Sequence, residues 1–382
     1  MGTSPLGMPK ILIVVWRLSQ GGGIPIVIRG LLERVDDSKF EVHLCTIRPP
    51  YPEDGLGDLP AHVRTHSLDL SPPETAVAKL KAISRLLCVA RRERPDLVHV
   101  QGGTASYSGL AMLGTNAVKL LEIQDAPQSG RMSPQHQRVE RLLARLVQPA
   151  ILVHSRSVQA DLASAWNINP ESVTRLPLGI DTRQFVRSRP RGLAFRKQLG
   201  ISSEAELVTY VARLVPEKCP ELFLEAAAEI VRRCPSARFL LVGEGSLADK
   251  MRRASTKLGL DDFLIMPGFV EDLAAAYSAS DIFLSTSRYE GFGLAVAEAM
   301  ACGVPVVCRQ AGGVEDVVGD AGILETAATP QKLAQHVLRL LESAPRRAEL
   351  ARAGRARAEN VLDIGSAIRA YEKLYQSLVD RR

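Results

Sequence analysis

No run of apolar residues in this chain approaches the roughly 20 needed to cross a bilayer as a helix, which excludes a helical membrane span. The opening "MGTSPLGMPK" has neither the charged start nor the apolar centre of a secretion signal, so the expected location is the cytoplasm. Cysteine is sparse. Cys45, Cys88, Cys219, Cys234, Cys302 and Cys308 are scattered without a C-x-x-C pair, and reduced structural thiols are expected rather than disulfides or a zinc ribbon. The seven histidines form no H-x-H or H-E-x-x-H, so no metal site is read from spacing. A net charge of +6 with no basic, aromatic-interleaved stripe argues against a nucleic-acid partner. Short repeats and low-complexity tracts are missing too, which excludes a solenoid.

What the chain does have is length and a pattern. At 382 residues it exceeds the size at which one core usually keeps growing, and two domains are expected. Short apolar runs alternate with helical segments: "KILIVVW" (10–16), "FEVHLCT" (40–46), "DLVHV" (96–100), "VKLLEI" (118–123) and "AILVHS" (150–155). A second series follows: "ELVTYVA" (206–212), "ARFLLVG" (237–243), "DFLIMPG" (262–268), "DIFLST" (281–286) and "VPVVC" (304–308). Such alternation predicts an α/β protein of two doubly wound parallel sheets. The stretch 175–192, with two glycines and five arginines, has neither period and reads as the link. The expected domains are 1–182, completed by a C-terminal helix over 364–382, and 183–363. In that helix Ile368, Tyr371, Leu374, Tyr375 and Leu378 recur at helical spacing.

Ligands on doubly wound sheets sit beyond the carboxyl ends of the strands, so the loops there are the place to seek chemistry. "RYEGFGLAVAEAMACGVPVV" (288–307) places Glu290 ahead of a glycine pair and Glu298 inside the helix that follows. Gly291 and Gly293 permit close backbone approach, and the unpaired N–H groups of a helix start favour a phosphate. Glu298, more than a turn along, can accept hydrogen bonds from vicinal hydroxyls such as those of a ribose. One acid on each side of a diphosphate suits a nucleotide joined to a sugar; a surface helix residue and a capping acid is the plainer reading of such a pair in isolation. "YVARLVPEKCP" (210–220) adds Arg213 and Lys218, two cations able to neutralise a diphosphate, and "LLVGEGS" (240–246) supplies a further strand-to-helix turn with Gly245.

Together, "ARLVPEK" (212–218), "LLVGEGS", "PGFV" (267–270), the 288–307 stretch and "LPLGIDTRQF" (176–185) resemble the retaining nucleotide-sugar glycosyltransferases of family 4. The resemblance covers nearly the whole chain, because "GGGIPIVIRGL" (21–31) is similar to the family's first glycine loop. It implies the GT-B fold, two Rossmann-like domains facing across a cleft. It also implies transfer of a hexose-type sugar from a nucleoside diphosphate to an acceptor hydroxyl with retention, and a nucleoside-diphosphate sugar as co-substrate with no cofactor and no metal. Carried over by position, Arg213, Lys218 and Glu290 take the catalytic roles, the cations on the diphosphate and Glu290 on the sugar. Glu298 takes the ribose. Gly291, Phe292, Gly293, Leu294, Ala295 and Gly245 line the diphosphate and sugar, Phe269 meets the base, and Gly22 and Gly23 belong to the first glycine loop.

The N-terminal half departs from the family pattern. Gln101 in "HVQGG" and Gln124 in "LEIQDAP" stand where many members carry histidine, and glutamine can bind a hydroxyl but cannot take its proton. Gln101, Gln124, Asp125 and His154 are the expected acceptor or sugar contacts, whereas His99 reads as a satisfied core histidine. The segment "SPQHQRVERLLARLVQ" (133–148) is basic and amphipathic. It reads as a helix covering the sheet, with peripheral contact to the inner face of the membrane as the other reading. Three other functions stay open: a hydrolysing sugar-nucleotide epimerase, a non-catalytic nucleotide-sugar-binding protein, and an NAD(P)-dependent oxidoreductase suggested by "GEGSLA" (243–248).

Overall fold

The structure, a computed structural model, describes residues 7–18, 23–49, 58–71, 75–102, 104, 112, 114–125, 127 and 134–381. It divides into two units, one of Met1–Gly179 with Gly365–Arg382 and one of Ile180–Ile364.

The first unit is built on a parallel sheet of seven strands, β1 (Lys10–Val15), β2 (Glu41–Thr46), β3 (Arg64–Ser67), β4 (Leu97–Gln101), β5 (Val118–Glu122), β6 (Ala150–Val153) and β7 (Val173–Arg175). Their order is β3-β2-β1-β4-β5-β6-β7, so the chain runs outward from β1 to one edge, then returns to build the other. The five apolar runs became β1, β2, β4, β5 and β6. The two edge strands escaped the sequence because β3, "RTHS", is half exposed and without apolar residues, and β7 has only three residues.

The second unit repeats this plan with β8 (Leu207–Val211), β9 (Arg238–Val242), β10 (Leu264–Gly268), β11 (Ile282–Ser285), β12 (Val306–Arg309) and β13 (Ile323–Glu325), ordered β10-β9-β8-β11-β12-β13. Every residue of β8 and β11 is buried, as strands covered on both faces must be, which explains their largely apolar sequence. The strand-order reversal falls between β8 and β11. The loops after these two strands therefore diverge to opposite faces at one point and leave room between them.

The C-terminal helix Ile364–Asp380 belongs to the first unit. Tyr371 and Tyr375 are fully buried there, and Tyr375 stacks edge-on to Phe40 and His99. Its anchor is Glu122 at the end of β5, a wholly buried carboxylate. It accepts hydrogen bonds from Tyr371 Oη at 2.9 Å, His154 Nε2 at 3.0 Å and Gln124 Nε2 at 2.8 Å, and meets His99 Nε2 at 2.9 Å. Burial by itself would raise its pKa, but the imidazoles of His154 and His99 hold it well below the usual carboxylate range.

The helix Pro134–Val147 departs from its expected seating. Leu143 and Glu140 turn inward, while Val139, Leu142 and Leu146 face solvent, Leu142 being 58% exposed. The apolar stripe is therefore on the outside. No helix among the described residues is long and apolar enough to cross a membrane.

Candidate nucleotide-sugar site

After β8 the chain makes a single 3₁₀ turn, Pro216–Lys218, and passes through Cys219 in the left-handed region at φ 46° before entering the helix Pro220–Val231. This turn aims Lys218 at the loop after β11. Its Nζ donates to Glu290 Oε1 at 2.6 Å, with both side chains largely buried, and Ser287 Oγ donates to the same oxygen at 2.8 Å. Further bonds tie the two loops together. Tyr210 Oη donates to the Lys218 carbonyl at 2.8 Å and meets Ser287 Oγ at 2.7 Å, Thr286 Oγ1 donates to the Cys219 carbonyl at 3.0 Å, and Arg288 N donates to the Glu217 carbonyl at 2.8 Å. Arg213 stands apart from the pair, 63% exposed, with its guanidinium 3.6 Å from Glu217.

Glu290 is followed by the turn that starts the helix Leu294–Ala301. Gly293 caps this helix at φ 109°, a conformation that a side chain would strain. A second loop supports the turn from below, where Gly313 N donates to the Glu290 carbonyl at 2.8 Å and added Cβ atoms at Gly312 or Gly313 would overlap the backbone of Glu290 and Gly291. Gly291, Leu294 and Ala295 remain partly exposed at the helix start, whereas the Phe292 side chain is buried and only its backbone is offered to a ligand. One turn on, Glu298 is 7% exposed and accepts a hydrogen bond from Tyr277 Oη at 2.9 Å. Burial pushes its carboxyl up to about 7, only partly offset by the Tyr277 bond.

Gly245 also packs against the loop after β8. Gly243 and Gly245, both at positive φ, lie against the backbone of Ala212 and Leu214, and Leu214 N donates to the Glu244 carbonyl at 2.8 Å. The glycines of "GEGS" thus let two loops interlock. Phe269, just beyond β10, is 69% exposed, a large apolar ring left in solvent.

The N-terminal candidates form one cluster. Gln124 donates to both Gln101 and Glu122, and Gln101 is buried beside His99. His154, expected as an acceptor contact, is instead buried with both ring nitrogens engaged, Nδ1 at 2.9 Å from the Leu176 carbonyl and Nε2 on Glu122. It works as a core residue, as does His99, which meets Tyr375 Oη at 2.8 Å. Asp125 lies just beyond Gln124 and is half-buried. Gly23 opens the helix Gly23–Arg34, and Gly22 lies outside the described residues. Ser287, Tyr277 and Glu122 were not foreseeable, because a lone serine, tyrosine or strand-end acid carries no pattern until the fold supplies its partner.

Two family models match this chain: Glycosyltransferase Family 4 over residues 21–184 and Glycosyl transferases group 1 over residues 193–357. The chain carries these two glycosyltransferase domains. It is 31% identical over 51% of its length to a GDP-mannose-dependent monoacylated alpha-(1-6)-phosphatidylinositol monomannoside mannosyltransferase of Corynebacterium glutamicum, a match that spans about half (54%) of that protein. Over 91% of its length it is 28% identical to D-inositol 3-phosphate glycosyltransferase 2 of Catenulispora acidiphila, covering 86% of that relative. Among solved structures, Anabaena Alr3699/HepE in complex with UDP and glucose superposes with a TM-score of 0.84 over 96% of this chain and 99% of that one, at 21% identity. This likeness establishes the GT-B fold.

The raised Glu298 carboxyl makes stability depend on pH. An acid whose pKa is higher in the folded state favours folding most below its unfolded pKa, and that contribution is lost as pH rises through the folded value near 7. Denaturant titrations of the second unit from about pH 5 to about pH 8 should show this decline, and Glu298→Gln should flatten it. An equal slope in the variant would show that the carboxyl is not held neutral.

Proposed function

We propose that the protein is a retaining glycosyltransferase that moves a hexose-type sugar from a nucleoside diphosphate to an acceptor hydroxyl without a metal at the diphosphate. The observation that carries this reading is the Lys218 to Glu290 contact beside a glycine-capped helix start, with Glu298 one turn further in. The chemistry follows from those groups. Lys218 and Arg213 neutralise the diphosphate, joined by the backbone N–H groups of Phe292 to Ala295, and hold it more tightly as its charge grows on departure. Glu298 accepts from the ribose hydroxyls, Glu290 from the sugar, and Phe269 offers its exposed ring to the base. The bond from the anomeric carbon to the diphosphate oxygen breaks, the acceptor oxygen attacks on the same face, and the departing phosphate oxygen takes the acceptor's proton. Gln124 and Asp125, both half-buried, are the candidate contacts for the sugar and acceptor, with Gln101 buried and accepting from Gln124; a glutamine can orient a hydroxyl but cannot take its proton, which this reading sends to the phosphate.

Ligand-observed NMR of the purified protein against UDP-, GDP- and ADP-sugars and NAD(P) tests this reading. GDP-mannose belongs in the panel because the corynebacterial relative is named for it, and UDP-glucose because Alr3699/HepE was crystallised with UDP and glucose. One nucleotide sugar should bind, with affinity reduced about tenfold or more in Glu298→Ala. Binding of NAD(P) alone, or equal binding by the variant, would contradict it.

A second observation bears on where the protein works. The outward stripe of Val139, Leu142 and Leu146 is flanked by the exposed Arg138 and Arg145, which is the composition of a helix lying on an anionic membrane surface. We propose a weak peripheral contact there, on the cytoplasmic face. The protein should sediment with phosphatidylglycerol vesicles at low salt and less so with neutral ones, and Leu142→Gln with Leu146→Gln should release it. Identical sedimentation by that double variant would exclude this helix.

A further inference from the structure

The first unit contains a group of side chains that the nucleotide-sugar reading leaves unused. His43 on β2 and His66 on β3 lie diagonally on one face of the sheet, because Cys45 is the register partner of His66. Their rings stack at 5.4 Å, and His43 Nδ1 is 3.1 Å from His66 Nε2. Glu93, the last residue of the helix Ala76–Glu93, brings Oε2 to 3.7 Å from the same His43 Nδ1. One ligand-competent atom from each of the three lies within 4.8 Å of the others. His43 is fully buried and Glu93 nearly so.

We propose that His43, His66 and Glu93 form a binding site for a divalent transition-metal ion, with zinc as the ion the ligand set suits best. Two imidazole nitrogens and one carboxylate oxygen are a zinc ligand set that leaves a fourth position for water. Tetrahedral ligands at about 2.0–2.1 Å from zinc lie about 3.3 Å from one another, a spacing between the two measured here. The surrounding shell also fits. His43 Nε2 is 2.9 Å from Glu41 Oε1. An ionised Glu41 takes the Nε2 proton as a hydrogen bond, which fixes the tautomer and points the Nδ1 lone pair at His66 and Glu93, the carboxylate–histidine–metal arrangement. Without metal, His66 Nε2–H donates to that lone pair. With metal, the His66 proton moves to Nδ1, and Nε2 becomes a ligand. Bound metal would clamp the edge strand β3 to β2 and to the end of the helix.

The test is titration of the untagged, chelator-stripped full-length protein with Zn²⁺ against a chromogenic chelator, and with Co²⁺ read by its visible absorption. About one equivalent should bind, with tetrahedral-type Co²⁺ bands. His66→Ala and Glu93→Gln should each lose that equivalent, and Glu41→Gln should retain it with about 10–100-fold weaker affinity. Zinc-edge X-ray absorption on the unaltered protein should show imidazole and oxygen scattering without sulfur, which decides the case even if a variant fails to fold. No bound equivalent, an equivalent retained by both ligand variants, or thiolate scattering would overturn the proposal.

Discussion

The contact between Lys218 and Glu290 is the constraint around which the second unit's functional loops are arranged. At 2.6 Å and largely out of water, it joins the loop after β8 to the loop after β11, the two strands where the order of the sheet reverses. A buried pair of this kind contributes little net stability by itself, since desolvation offsets most of the attraction, but loss of either partner strands the other. The surrounding bonds from Ser287, Tyr210 and Thr286 make the geometry definite. They also fix where the following glycine turn and helix begin. A diphosphate arriving at that helix start would meet a lysine already in place, held by Glu290.

Two buried carboxylates show how the same residue type is set to opposite states. Glu122 has four polar hydrogens directed at it and stays ionised, which lets it anchor the C-terminal helix and orient Gln124. Glu298 has one, from Tyr277, and its pKa rises to about 7. The first is saturated and structural. The second has acceptor capacity to spare, and hydroxyl groups of a bound ligand would supply the missing hydrogen bonds and favour the charged form. The contrast gives Glu298 a physical reason to be a ligand contact and removes His154 and His99, both consumed by Glu122 or its neighbours, from that role.

The doubly wound plan was legible because parallel strands buried on both faces read as near-continuous apolar runs; ten runs declared themselves, and β3, β7 and β13 did not, being polar or three residues long. Glu290, Glu298 and Lys218 were legible through their spacing from glycines and strand ends. What spacing could not reveal were relations across the chain. The seating of Gly245 under Leu214, the Tyr277 bond to Glu298 and the meeting of His43, His66 and Glu93 join residues that are near only after folding. The helix Pro134–Val147 misled for another reason: a helical period shows which residues share a face, and the fold alone decides which face turns inward.

The most direct measurement is a crystal structure of the protein with the nucleotide sugar it binds. The account predicts the diphosphate at the start of the helix Leu294–Ala301, Lys218 and Arg213 turned onto it, the ribose hydroxyls on Glu298 and the sugar beside Glu290. A nucleotide seated elsewhere, or one that leaves Glu298 bonded only to Tyr277, would contradict it.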